Sequence, residues 1–413
     1  MEDKNPNRNN IIFLSLSILI IVLIVIFSMQ IALTNNSISK LFKGSEFELF
    51  YNGSKLLTNG NYEKIYDSSY YQNILEKNST DKFYRPHYTP LLYYFYVPFS
   101  MMPKFLGVLS STILFITIYL VSVFLLIGTF RRLYNKRYLI IFFSLIFPPF
   151  IYVILNGHPS ALWILILTLT FYYCKKDMPF AAGIILSFFI MKPNFYILIF
   201  LILLLSFKPK LLLGLLSGTL FLFFISGIWD GFYLWKEWFN VFTFLAKNIL
   251  NKNTMIIFGQ YSERMFFYPL FAKGIILQIL KYIFIIAGLC AVVFPILYSY
   301  FHKNHFSRNS FWLILTIAIV LASPYIYNYD LIVLILPIII FFNLAIADRV
   351  LKKYVVMMIT ILCLSVIVCF LINQLIHIQL FTLLLWFFLI NGTLGKRIRH
   401  YTPKTFIEYW DDY

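Results

Sequence analysis

The chain has 413 residues, of which 61% are apolar, with a mean hydropathy of +0.80 and a formal net charge of +17. A surface of this composition is solvated by lipid, which excludes a soluble enzyme or binding module. The basic excess does not point to nucleic acid, because no basic patch is interleaved with polar base-reading residues; it reads as membrane topology plus attraction to anionic headgroups.

A spanning helix needs about 20 apolar residues to cross a hydrocarbon core of about 30 Å. Residues 11–33 satisfy this without a charge. The stretch is too long for a signal-peptide core and IALTNN is a weak cleavage site, so a retained anchor helix is expected. Further apolar runs follow at 105–128, 138–155, 160–174, 179–191, 194–206, 211–228, 274–299, 310–323, 331–347, 354–372 and 380–394, which makes twelve expected spans. The shortest of them predict tilted or broken helices.

Basic clusters near span ends mark the cytoplasmic side. Arg131, Arg132, Lys136 and Arg137, the pair Lys175 and Lys176, Lys208 and Lys210, Lys303 and Arg308, Arg349, Lys352 and Lys353, and Lys396, Arg397 and Arg399 all fall inside when crossings are counted from a cytoplasmic N-terminus. Both termini are then cytoplasmic, in a protein of the bacterial plasma membrane. The expected organisation is a single transmembrane domain over 1–413, with a first outer loop at 34–104, a second at 229–273 and a cytoplasmic tail at 395–413.

The first outer loop holds six of the seventeen carboxylates, including Glu46 and Glu48. Within it, EFELFYNGSKLL (Glu46 to Leu57) places Phe47, Phe50, Tyr51, Ser54 and Leu57 at helical spacing, which predicts an interfacial amphipathic helix with its aromatic residues at headgroup level. On this pattern Glu46 is either a simple N-terminal acid of that helix or a chemical group. The following run, from Tyr84 to Pro103, carries Pro86, Pro90, Pro98 and Pro103, which denies a regular helix at its start and predicts irregular backbone of the kind that lines a cavity. Arg85 in this run offers a permanently charged fork, suited either to lipid headgroups or to a bound phosphate.

The remaining non-basic interruptions also fall on the outer face: Asn156-Gly157-His158-Pro159, Met191-Lys192-Pro193-Asn194, the 229–273 loop, and Ser323 through Asp330. Ionisable groups at bilayer depth are costly and mark functional hypotheses. Lys192, biased out of helical geometry by Pro193, is either a snorkelling lysine or a phosphate ligand. Asp330 either caps the span that follows it or makes a functional contact.

Cys174, Cys290, Cys363 and Cys369 lie in or at the ends of apolar runs, with no disulfide framework or CxxC metal pair. His302 and His305 sit in a basic connector, and no Walker loop, Rossmann glycine pattern or HExxH occurs. No cofactor and no metal is expected.

The arrangement resembles glycosyltransferase family 87, the polyprenyl-phosphate-sugar-dependent enzymes that include polyprenol-phosphate-mannose-dependent alpha-mannosyltransferases. Glu46-Phe47-Glu48-Leu49-Phe50-Tyr51 and Ile65-Tyr66-Asp67 look like the family's first-loop segments. Tyr88-Thr89-Pro90, with Pro98 and Pro103, is similar to its Tyr-x-Pro run, and Gly157-His158 to its Gly-Gln turn. Ala181-Ala182-Gly183 through Lys192-Pro193 resembles its small-residue helix ending in Lys-Pro, and Ser323-Pro324 with Asn328-Tyr329-Asp330 its late Ser-Pro motif. Two positions depart from the pattern. Glu46 stands where the family has aspartate, with Glu48 the alternative if the register slips, and His158 replaces the glutamine.

The resemblance implies an all-α GT-C fold of about twelve transmembrane helices, with an interfacial-helix first loop and a cavity at the outer leaflet. It implies a hexosyltransferase that moves a sugar, mannose favoured, from a polyprenyl-phosphate donor to a glycolipid or cell-envelope glycan acceptor. One carboxylate suffices as base for direct inverting displacement, because phosphate leaves without a general acid. Glu46 takes that role, with Glu48 in reserve. Arg85, His87, Lys192 and Arg264 are the candidate donor-phosphate ligands; Tyr51, Tyr88, His158, Tyr327, Asn328 and Asp330 are the candidate sugar or acceptor contacts, with Tyr84 a further stacking candidate. The competing class is a transporter or flippase of lipid-linked sugars, which predicts repeated halves; no internal repeat is visible, and the acidic loop occurs once. An O-antigen-type polymerase or ligase would place its large loop later in the chain.

Overall fold

The computed structural model describes residues 11–23, 46–67, 70, 88–230, 232–249, 275–301, 309–323, 326–347 and 385. Every regular element among them is helical. In chain order these are α1 (Ile11–Leu23), α2 (Glu46–Thr58), α3 (Pro90–Ser100), α4 (Lys104–Thr129), α5 (Arg137–Leu145), α6 (Pro148–Asn156), α7 (Ser160–Lys175), α8 (Pro179–Leu186), α9 (Pro193–Leu205), α10 (Pro209–Asp230), α11 (Tyr233–Ile249), α12 (Ile275–Phe301), α13 (Asn309–Ala322) and α14 (Ile335–Ala347).

By length and composition, two of these helices can cross a membrane, Lys104–Thr129 and Pro209–Ile228. Their apolar residues do not all face inward. On α10, Leu213, Leu220, Phe221, Phe224 and Ile225 are all more than half exposed, a face that only lipid solvates well. Other expected spans are shorter or broken. The run at 138–155 divides into α5 and α6, and the pair Arg131–Leu145 and Pro148–Asn156 is bent by 52°. Pro148 and Pro149 start the second piece, and the residue before a proline is driven out of helical geometry; Phe147 is accordingly extended at φ −63, ψ 118. The span expected at 354–372, that at 380–394 apart from Leu385, the tail at 395–413 and most of the 229–273 loop lie outside the described residues.

Small residues set the tightest helix contact. α8 packs on α10, and a Cβ built on Gly183 would fall 2.2 Å from the Leu211 carbonyl oxygen, while one on Gly214 would fall 2.1 Å from that of Phe180. The two backbones touch, as small residues permit between membrane helices. After α8 the chain tightens into a 3₁₀ turn at Ser187–Met191 and breaks at Lys192 (φ −123, ψ 82), where Pro193 opens α9.

The aromatic stripe of α2 faces protein: Phe47, Phe50, Tyr51, Ser54 and Leu57 are buried, with α3 as the main partner. Phe50 meets the Tyr96 ring at 4.8 Å and the Tyr88 ring at 5.0 Å between centroids, and such pairs contribute about 0.5–1.5 kcal/mol beyond their area. The proline-rich run is not irregular throughout, because Pro90 begins a regular 11-residue helix and Pro98 lies within it. Proline is compatible with a first helical position, where its missing N–H has no intrahelical partner in any case.

Candidate functional site

Five segments far apart in sequence meet at one place: the start of α2, the chain just before α3, the α6–α7 turn, and the breaks preceding α9 and α14. The turn is built first. α6 ends in a Schellman arrangement, in which the Gly157 N–H donates to the Ile154 carbonyl at 3.2 Å and the His158 N–H to the Val153 carbonyl at 3.0 Å. Gly157 takes a left-handed φ of 57°, and a Cβ built there would lie 2.6 Å from the Phe47 Cβ. Glycine is therefore required both by the turn and by the close approach of α2. Tyr96 secures the same turn by donating to the Gly157 carbonyl at 2.9 Å.

The turn delivers His158, which is fully buried. Its Nε2 lies 2.8 Å from the Tyr88 hydroxyl and its Nδ1 2.6 Å from Ser160 Oγ. Ser160 in turn donates to Asp330 Oδ1 at 3.1 Å. Asp330 also receives Lys192 Nζ at 2.5 Å on the same oxygen, in an ion pair whose side chains are 5% and 0% exposed. Its other oxygen, Oδ2, accepts from the Tyr327 N–H at 3.2 Å, and the Asp330 N–H returns to the Tyr327 carbonyl at 2.9 Å. Asp330 thus caps the 3₁₀ turn Asn328–Leu334 with one oxygen and binds Lys192 and Ser160 with the other.

Tyr329, between Asn328 and Asp330, lies against His158 with ring centroids 3.8 Å apart and planes 20° apart. Its hydroxyl donates to Glu46 Oε1 at 3.3 Å. Glu46 is half-buried at the first turn of α2, and its Oε2 is buried with no hydrogen-bond partner among the described residues. Burial pushes the Glu46 carboxyl up to about 7, opposed by the nearby Lys192 charge and the Tyr329 hydrogen bond and reinforced by Asp330. The chemistry open to this oxygen is that of an acceptor: an ionised carboxylate oxygen accepts hydrogen bonds and can take up a proton.

The other candidates are distributed as follows. Glu48, two residues on and so on a different face of α2, pairs with Lys104 at 2.7 Å. Tyr51 ties α2 to the turn after α3 by donating to the Met102 carbonyl at 2.8 Å. Tyr88 and Tyr327 flank the network, Tyr327 stacking on Tyr329 with centroids 5.4 Å apart. Asn328 is buried beside the Tyr152 side chain. Tyr84, Arg85, His87 and Arg264 lie outside the described residues. Among the described residues no cluster of three His, Cys, Asp or Glu side chains could hold a metal ion. An aromatic groove between α10 and α11, lined by Phe223, Phe232, Trp235 and Trp238, contains no residue of the Glu46 network.

Three participants were not singled out from the sequence: Tyr329, Ser160 and Tyr96. Tyr329 lies inside a motif whose other two residues were singled out, and Ser160 follows His158 by two. Nothing in the local pattern distinguishes any of the three from the many other aromatic and hydroxyl residues of the chain.

The model of glycosyltransferase family 87 matches residues 87–324, more than half of the chain, and the chain belongs to that family. No curated protein and no solved structure matches it. Family membership makes the protein a membrane glycosyltransferase and sets the transporter reading aside.

Proposed function

We propose that this family 87 glycosyltransferase transfers a hexose, mannose favoured, from a polyprenyl-phosphate donor to a glycolipid or cell-envelope glycan at the outer face of the membrane, with Glu46 as general base. The reading rests above all on one observation: Oε1 of Glu46 is held by Tyr329 while the buried Oε2 has no partner among the described residues.

In this scheme the acceptor hydroxyl donates to Oε2. As its oxygen attacks the anomeric carbon from the face opposite the phosphate, the proton passes to the carboxylate and the bond to the phosphate oxygen breaks. The electron pair leaves with the polyprenyl phosphate, so no general acid is needed and the anomeric configuration inverts. A base that titrates near 7 is well matched to this work at neutral pH, where a substantial fraction is unprotonated and it is still basic enough to accept the proton.

Charge on the departing phosphate is best stabilised by fixed cations in a site that excludes water. Lys192 is a described cation whose charge acts on Glu46, but that charge is already opposed by Asp330. Arg85, His87 and Arg264 therefore carry the main share of the phosphate in this proposal, with Lys192 contributing its charge beside Glu46. The aromatic rings of Tyr88 and Tyr327 offer faces on which a pyranose stacks.

The test is transfer from a synthetic polyprenyl-phosphate mannose by the purified full chain and by Glu46→Gln. The substitution is expected to abolish transfer while leaving expression and donor binding intact. Full activity in Glu46→Gln removes Glu46 as base, and full activity in Glu48→Gln as well removes any carboxylate of that helix from the role.

A further inference from the structure

The hydrogen bonds around His158 have a direction that the chemistry of each group determines. Asp330, ionised in its pair with Lys192, can only accept. The one proton of Ser160 Oγ goes to Asp330 Oδ1, so the 2.6 Å contact between Ser160 Oγ and His158 Nδ1 must be donated by the imidazole. Nδ1 therefore carries a proton, and the ring plane is pinned at one edge by Ser160 and at the other by the Tyr88 hydroxyl. Against this fixed ring lies Tyr329, at 3.8 Å and nearly parallel.

We infer that His158 is a positioning residue: anchored through Ser160 to the Asp330–Lys192 pair, it carries the Tyr329 ring on its face and so holds the Tyr329 hydroxyl on Glu46. The inference deepens the reading of Glu46 as base and rests on it for its catalytic meaning. The contact it controls favours the charged form of Glu46, because the phenol donates to a carboxylate oxygen. Displacing Tyr329 should push the carboxyl further up. Among the described residues, the titratable groups that face Glu46 are Lys192 from the break before α9, Tyr329 and Asp330 from the 3₁₀ turn, and Tyr96 from α3. None of these is altered by a substitution at His158, so a shift there reports on Tyr329's placement.

The test needs no substrate. pH-difference infrared spectra of the full chain in detergent micelles, with the Glu46→Gln spectra subtracted, isolate the protonated-carboxyl band of Glu46. In the unsubstituted chain its midpoint is expected near 7. Tyr329→Phe should raise that midpoint by about one pH unit, the scale of one hydrogen bond to a charged group. His158→Ala should raise it in the same direction, and the double variant should go no further than Tyr329→Phe alone. Where His158→Ala does not fold, His158→Gln serves, since it keeps an amide donor for Ser160 but presents no ring; the same rise is expected. A midpoint unchanged by substitution of His158, or two shifts that add in the double variant, overturns the inference, as does the absence of any Glu46 band. Transfer activity retained in Glu46→Gln would instead remove the base reading and leave the positioning result standing.

Discussion

Tyr329 and Glu46, 283 positions apart, are joined by a single hydrogen bond of 3.3 Å from the phenol to Oε1 of the carboxylate. The contact is long for O–H···O, and among the described residues no group donates to the other carboxylate oxygen. Through it the late part of the chain reaches the first loop, and the loop's acid becomes part of a network that also contains the buried Lys192–Asp330 pair.

Transfer should depend on pH with the sign of a base. In the proposed mechanism Glu46 works unprotonated, and its carboxyl is pushed up to about 7, so kcat/KM should fall roughly tenfold per unit below pH 7 and level off above it. Stability should run the other way. The folded carboxyl titrates above its ordinary value of 4.5, so as pH rises from 4.5 to 7 the unfolded chain loses a proton that the folded chain keeps, and this group's contribution falls. A pH series of initial rates and of thermal midpoints in one detergent checks both.

Glu48→Gln should leave transfer within a few-fold of the unsubstituted chain. Glu48 lies two residues beyond Glu46 and is committed to Lys104, whose side chain is 55% exposed. Such a pair contributes about 0–1 kcal/mol, so the thermal midpoint should move little. Rates and melting curves measured beside those of Glu46→Gln make the comparison.

Breaking the buried ion pair from one side should be costly. Lys192→Met leaves the Asp330 carboxylate buried with, among the described residues, Ser160 and the Tyr327 N–H as donors, and Asp330→Asn leaves the Lys192 ammonium buried opposite an amide. Each should lose about 3–5 kcal/mol, and Lys192→Met with Asp330→Asn should lose clearly less than the sum, because no buried charge is then uncompensated. Denaturation of the four chains in mixed micelles gives the coupling energy directly. Additive losses would mean that the two side chains do not depend on each other.

Gly157→Ala should disturb both stability and catalysis. The position has φ 57°, and the added methyl would meet the Phe47 Cβ. The left-handed conformation alone costs about 1–2 kcal/mol for a residue with a Cβ, and relief of the clash must move the start of α2, where Glu46 stands. A drop in kcat larger than that in donor affinity, read from transfer kinetics and donor binding, is the expected signature.

The backbone breaks around the site were legible in the sequence because their causes are local. Pro193 drives Lys192 out of the helix, Gly157 accepts a left-handed turn, and the prolines at 148 and 149 set a boundary, though the apolar run through them was read as one span and the 52° bend was not foreseen. The helical spacing of Phe47, Phe50 and Tyr51 was also legible, but not what covers it. Hydropathy does not distinguish an aromatic face that meets lipid headgroups from one that meets Tyr88 and Tyr96.

By itself, then, the sequence determined a membrane chain with its acids gathered in one loop and its apolar runs interrupted at a few polar points, since hydropathy, proline and glycine act over a few residues. Only the tertiary structure decided that Asp330 divides its oxygens between a cap and an ion pair, that Lys192 is already paired, that Glu48 turns toward Lys104, and that Tyr329 holds Glu46. Those partners stand 3, 138, 56 and 283 positions apart, and all but the first are brought together by helix packing, which no local pattern encodes.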